Sequence, residues 1–336
     1  MAMRFALPVI VFVLLTTPFC FGQDVAKQIS ATTAELEKQL NTLQVSPELK
    51  QRCTADIASA RADLKLGYTQ LGLYTIRTCQ IELTALTFAN KNDSAFQDEA
   101  LKLGSQIADQ EKKQPQPSEK SSQKQPPALI AALSELSRAE ANANYQSAQT
   151  LAQNKNIGAA SSSLGRAKAN IDYVFFVRSL HFPEPKTPFI LRSIAPELTK
   201  FEASALRTFK SADARRQQTE YIGLASSLKV ATALSEASAF AGALLKYLEA
   251  QLEFGLIITT AENEDLIHLQ LRSEEVGKML MEKKTDHSIA LLFWQIAETN
   301  LKPASGEAPT QAQLRNAVVI LNKVLPSYFD YLKEKR

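Results

Sequence analysis

Residues 128–180 read ALIAALSELSRAEANANYQSAQTLAQ, then NKNIG, then AASSSLGRAKANIDYVFFVRSL. The two long segments contain no proline and carry apolar side chains at helical spacing, so each is predicted to be a helix. Asn154 to Gly158 interrupts the pattern with turn-forming residues. Two helices joined by so short a break fold back on each other as an antiparallel hairpin. Tyr145 and Ala148 stand on the first helix, and Ala160, Leu164 and Ala167 stand at i, i+4 and i+7 on the second. Small side chains at those positions let two helices approach closely, while the large middle residue fills the groove between them.

The same reading extends in both directions. Alanine occurs 46 times in 336 residues and glycine only 11 times, which makes helix the economical assignment throughout. Upstream, Val25, Ile29, Leu36, Leu40 and Leu43 form one apolar stripe, and Ser46 with Pro47 marks a second helix start. A third helix turns Tyr74, Ile76, Cys79, Leu83 and Leu86 inward, ends at Asn90 to Asn92, and is followed by a weaker one over 94–110. Residues 111–127 are almost entirely Lys, Gln, Pro and Ser, with two Glu, a solvated linker between an N-terminal unit, 23–110, and a larger C-terminal unit, 128–336. Downstream, the three prolines between His181 and Pro188 stop the helix, and Ser193 with Pro196 starts the next. The chain from there to Ile258 accommodates two long helices with a turn at Gly223 to Ser227. Further helices are predicted over 262–284 and 287–301 and, after the Pro303 to Pro309 loop, from Thr310 as N-cap to about Lys333. The expected fold is all-α: stacked antiparallel helical hairpins arranged as a solenoid or an irregular bundle.

The first 22 residues are a signal peptide by pattern. Arg4 gives a basic start, Phe5 to Leu15 is an apolar run too short to span a bilayer, and the small Cys20 and Gly22 favour cleavage before Gln23. An exported, periplasmic or secreted protein is expected, with no transmembrane segment once the leader is gone. An oxidising compartment raises a disulfide between Cys53 and Cys79. A hairpin turning at Gly67 would set the two cysteines at similar heights on facing helices. A turn at Gly72 would leave Cys79 about 10 Å past it and Cys53 about 28 Å before it, too far to bridge. The apolar series Leu49, Cys53, Ile57, Ala60, Leu64, Leu71 runs on past Gly67 and favours the later turn, with two small buried thiols as the alternative.

Ala290, Trp294 and Ala297 repeat the small–large–small spacing, with Pro303 just beyond. This pattern resembles the tetratricopeptide (TPR) repeat family. Gly72 with Tyr74 resembles that family's turn, although Arg77 stands where a small residue is expected and the strict 34-residue period is absent. The resemblance covers about a third of the chain and implies a concave surface that holds peptides or protein segments.

Catalytic and cofactor signatures are missing: no H-E-x-x-H, C-x-x-C, G-x-S-x-G, Walker A or G-x-G-x-x-G pattern occurs. Asp265 and His268, with Glu262 and Glu264 nearby, share a helix face as half of a carboxylate-bridged metal site would, but no second acid-x-x-His pair exists. A solvated first turn with acids favoured by the helix dipole is the expected reading. His287 beside Asp286 reads as a helix start and His181 as a loop residue. Trp294, within an almost wholly apolar helix, reads as buried. Tyr328, Phe329 and Tyr331 cap the last apolar layer, and Lys210, Arg215 and Arg216 form a wet helix face. The net charge of +3 falls to +2 when Arg4 leaves, giving no strong preference for nucleic acid. The expected protein uses no cofactor, metal or catalytic residue. It is a binding scaffold for protein or peptide partners, or else an envelope structural or tethering protein built as a homo-oligomer of long hairpins.

Overall fold

Local start signals set several helix boundaries. The Ser46 hydroxyl accepts from the Leu49 N–H at 3.2 Å and opens α2 (Pro47–Lys65), which follows α1 (Gln23–Thr42). Thr310 and Gln313 form a reciprocal capping box at the head of α12 (Gln311–Val319). Between them lie α3 (Thr69–Leu86), α4 (Asp93–Lys112), α5 (Ala128–Gln153), α6 (Ile157–Ser179), α7 (Ala195–Phe209), α8 (Gln218–Glu236), α9 (Phe240–Ile258), α10 (Leu266–Glu282) and α11 (Ser288–Leu301). The chain ends in α13 (Leu325–Lys333), joined to α12 by one π-helical turn, Ile320–Val324. This computed structural model describes residues 23–88, 93–112, 126–182, 191–209, 218–259, 265–282, 285–304 and 306–333, and among them the protein is all-α, with no strand. The leader and its cleavage site, Asn90 to Asn92, residues 113–125 of the linker, the three prolines after Phe182, the basic cluster of Lys210, Arg215 and Arg216, and Glu262 and Glu264 lie outside the described residues.

Three hairpins, α2/α3, α5/α6 and α8/α9, close with the same backbone turn. Gly67, Lys155 and Ser238 take positive φ values of 80°, 60° and 59°. The residue after each donates back into the preceding helix: Tyr68 to the Asp63 carbonyl at 2.9 Å, Asn156 to Leu151 at 2.9 Å, and Ala239 to Leu234 at 2.8 Å. These are helix-ending Schellman turns, in which a left-handed residue satisfies carbonyls that the helix can no longer pair. The first turn therefore falls at Gly67 and not at Gly72. Leu64 and Leu71 flank it and both pack into one core, so the apolar pattern passes through the break without a change of phase. The expected turn at Gly223 to Ser227 is likewise corrected: it lies inside α8, and the chain from Ala195 to Ile258 makes three helices. Gly223 is an exposed helical residue with open space around it, whereas the real turn at Ser238 carries neither glycine nor proline.

With the turns placed, one packing pattern recurs. Ala60, Gly72, Ile76 and Cys79 in the first hairpin match Ala148, Ala160, Leu164 and Ala167 in the second, and Ala231, Ala243, Tyr247 and Ala250 in the third, and all are buried. Cys79 thus occupies the small position that a turn at Gly72 had assigned to Arg77. It faces Cys53 across the hairpin with Cα atoms 5.2 Å apart, and the two are joined by a disulfide.

The hairpins lie side by side, with α3 against α6 and α5 against α9. A regular solenoid would keep each hairpin in contact with its chain neighbours only. Here α11 returns to pack on α3 and α5, and the C-terminal helix packs on α9 and α11. Most of the buried apolar side chains, from Val25 to Tyr331, make one continuous core, so the helices before and after the linker are packed together, and a smaller cluster lies between α4, α5 and α6. α4 runs two residues into the segment read as linker, and its Phe96, Leu103 and Ile107 cover the α5/α6 hairpin.

Close approach is most demanding at Gly165, where a Cβ would sit 2.5 Å from the Ala85 carbonyl oxygen of α3. Alanine gains about 1 kcal/mol over glycine in a helix interior, but a clash against backbone costs roughly 1–3 kcal/mol and cannot be relieved by a rotamer change. Gly165→Ala is expected to lower the thermal midpoint. Gly223→Ala, with open space around it, is expected to raise it, and calorimetry of the pair checks both signs. Removing the bridge by Cys53→Ala with Cys79→Ala opens a loop of 26 residues and is expected to cost about 3 kcal/mol in denaturant unfolding.

Candidate functional site

A helix begins with N–H groups that have no partner in the helix itself. α3, α5 and α9 have no local side-chain cap, and each is completed from a distance. Asp286 Oδ2 accepts from the Ala128 N–H, and Ser288 Oγ from the Leu129 N–H at 2.9 Å, at the head of α5. Glu135 Oε2 accepts from the Gly242 N–H at 2.7 Å at the head of α9. Gln295 Oε1 accepts from the Leu71 N–H at 2.9 Å in the first turn of α3, and its amide donates to Gln70 at 2.9 Å.

These joints account for the residues that looked most reactive. Asp286 is turned to the backbone of α5, and His287 Nδ1 shares a 2.8 Å hydrogen bond with the Tyr328 hydroxyl, so each serves a different partner. Burial pushes the Tyr328 phenol well above its usual range. Asp265 and His268 are both exposed, and Asp265 Oδ1 accepts from the Ile267 N–H at 3.0 Å as a local cap. Among the described residues no group of three or more His, Cys, Asp or Glu side chains could hold a metal ion. Trp294 is buried, donates to the Ser273 carbonyl at 2.9 Å, and lies edge-on to Tyr68 with ring centroids 5.9 Å apart. Ala290 and Ala297 are buried beside it, and Tyr145 packs on the cluster of Ala148, Ala160, Leu164 and Ala167. Tyr328 and Tyr331 are buried and Phe329 is partly buried; the Tyr331 hydroxyl is bonded to the Arg192 backbone, and the Arg192 guanidinium lies 4.3 Å from the Tyr331 ring centroid.

One polar cluster was not anticipated from sequence. Arg77 donates to Glu140 at 2.6 Å and to Ser137 at 3.2 Å, while the Tyr74 hydroxyl donates to Glu249 at 2.7 Å and Lys246 pairs with Glu249 at 2.6 Å. The Arg77 guanidinium also lies 5.7 Å from the Tyr173 ring centroid, which links α3, α5, α6 and α9 through one set of side chains. Its members come from segments far apart in the chain, Tyr74 with Arg77, Ser137 with Glu140, and Lys246 with Glu249, and no local spacing reveals that these segments meet. A shallow groove of about 490 Å³ lies between α1 and α2, lined by Ala26, Lys27, Ser30, Arg61, Leu64 and Lys65, and Glu37 holds Arg61 at 2.6 Å on its flank. Comparison with known families, curated proteins and solved structures finds no match to the chain.

Glu135 has a chemical consequence. Burial raises its carboxyl to about 7 from 4.5, against the lowering influence of the Gly242 and Ala241 N–H groups, Arg138 and Arg178. Because the folded value lies above the unfolded one, the stabilising contribution is complete below about 4.5 and is lost as pH rises through about 7. Asp63, raised to about 6 by burial, acts in the same direction. The thermal midpoint is expected to fall across that window, and Glu135→Gln is expected to flatten the fall. A midpoint-versus-pH curve for the variant that parallels the parent would refute the assignment.

Proposed function

We propose that the protein is an exported, non-catalytic helical scaffold that holds protein or peptide partners, as the family resemblance implies. The observation that carries this reading is the division of labour among its side chains. Asp286, Ser288, Glu135, Gln295, Arg77 and Glu249 are engaged in joining helices. Large apolar side chains meanwhile stand on outward faces, among them Phe175 on α6, Leu206 on α7 and Ile222 on α8. Apolar surface turned to water gains free energy when a partner covers it. Recurrence of the small–large–small pattern in three hairpins with a shared turn supports the repeat-like part of the reading. No helix among the described residues is long and apolar enough to cross a membrane.

A second reading, an envelope structural or tethering protein that assembles with itself, is favoured by the spacing of the outward residues of α10. Crosslinking in the native compartment followed by partner identification separates the two. The scaffold reading expects discrete protein partners recovered in fixed proportion and no turnover of substrates. Recovery of the chain crosslinked only to itself would favour the second reading, and a measured catalytic turnover would end both.

A further inference from the structure

The outward row of α10 consists of Ile267, Leu271, Glu274, Lys278 and Met281, all exposed. Their spacing alternates four and three residues, the repeat that keeps one seam in line along a pair of wound helices. A different face of α10 is occupied: Leu269, Ser273, Gly277 and Leu280 are buried, Ser273 donates to Glu298 at 2.5 Å, and Gly277 lies under the Trp294 ring. The helix thus carries apolar side chains on two sides, and among the described residues the inner side is the one that is covered. Three large apolar residues, Ile267, Leu271 and Met281, are 67%, 56% and 61% exposed on this one row.

We infer that the occupant of this row is a second copy of the chain, docked through α10 in antiparallel orientation about a two-fold axis. The charges choose the partner and its direction. In an antiparallel pair the two seam positions alternate across the contact, so Leu271 meets Met281 of the second copy and Glu274 meets Lys278. Symmetry makes each contact twice, giving two apolar pairs and two opposite-charge pairs from one row. A parallel pair would set Glu274 against Glu274 and Lys278 against Lys278, and like charges face to face oppose association. Among the described residues Glu274 pairs with Lys302 at 3.8 Å in an exposed pair, and Lys302 retains Glu298 at 3.2 Å when Glu274 turns outward. This inference is independent of any other partner the protein holds.

Sedimentation equilibrium of the purified protein from about 1 µM to about 1 mM tests it, since interfaces of one helix per chain dissociate within that range. The expected result is a reversible shift from one chain mass to two. Leu271→Glu is expected to abolish the shift while leaving the helical spectrum and melting curve unchanged. Glu274→Lys and Lys278→Glu are each expected to weaken association at least tenfold, and the double charge swap to restore it. A single-chain mass at every concentration would overturn the inference, as would a dimer indifferent to Leu271→Glu. A double swap that associates no better than either single variant would overturn the antiparallel arrangement.

Discussion

Two helices can approach each other closely only where the side chains between them are small, and this constraint organises the protein. Ala60 with Gly72, Ala148 with Ala160, and Ala231 with Ala243 supply the small pairs beside three hairpin turns. Each leaves a groove that a larger residue fills: Ile76, Leu164 or Tyr247. In the first hairpin the small position farther from the turn is Cys79, and close approach there is what brings it within bonding reach of Cys53. The disulfide therefore follows from the packing pattern and ties the α2/α3 hairpin, on which α1 packs.

Tight packing creates a second demand. Helix ends pressed against neighbouring helices cannot rely on water for their unpaired N–H groups, and an unsatisfied buried group costs roughly 1–3 kcal/mol. α3, α5 and α9 meet this demand with Gln295, Asp286 and Ser288, and Glu135, all reaching in from other helices or loops. Each such contact fixes two elements in register, so these polar side chains specify which helix sits beside which. The raised carboxyl of Glu135 is the cost of performing that task away from solvent.

The all-α character, the α5/α6 hairpin and the caps at Ser46 and Thr310 were legible because each rests on residues a few positions apart. Turns made by Lys155 and Ser238 in the left-handed region were harder to read, since neither is glycine, and Gly223 attracted a turn that the helix did not need. Misplacing the first turn at Gly72 also shifted the register of α3 and hid the match between Cys79 and Ala167. Pro326 is itself a local signal: it removes one backbone donor, and the π-turn just before it, where the Leu325 N–H bonds to Ile320, widens the helix to accommodate the ring. The Arg77, Glu140 and Glu249 cluster had no sequence signal, because its members meet only after four helices have assembled.

α10 combines both kinds of information. Its inner face is read from burial, since Gly277 must be small for the Trp294 ring to lie across it, and the ring N–H donates to the Ser273 carbonyl. Its outer face obeys a different period, because a surface helix needs no apolar residue beyond the stripe that meets its own core. Fully burying a Leu, Ile or Met side chain is worth roughly 1.5–3 kcal/mol relative to leaving it in water. Ile267, Leu271 and Met281 forgo that contribution in the isolated chain, and Glu274 and Lys278 between them keep the row soluble while admitting only one direction of self-pairing. A row that is apolar at its ends and oppositely charged at its centre is suited to reversible contact, in which solubility of the free chain and specificity of the pair come from the same two charges.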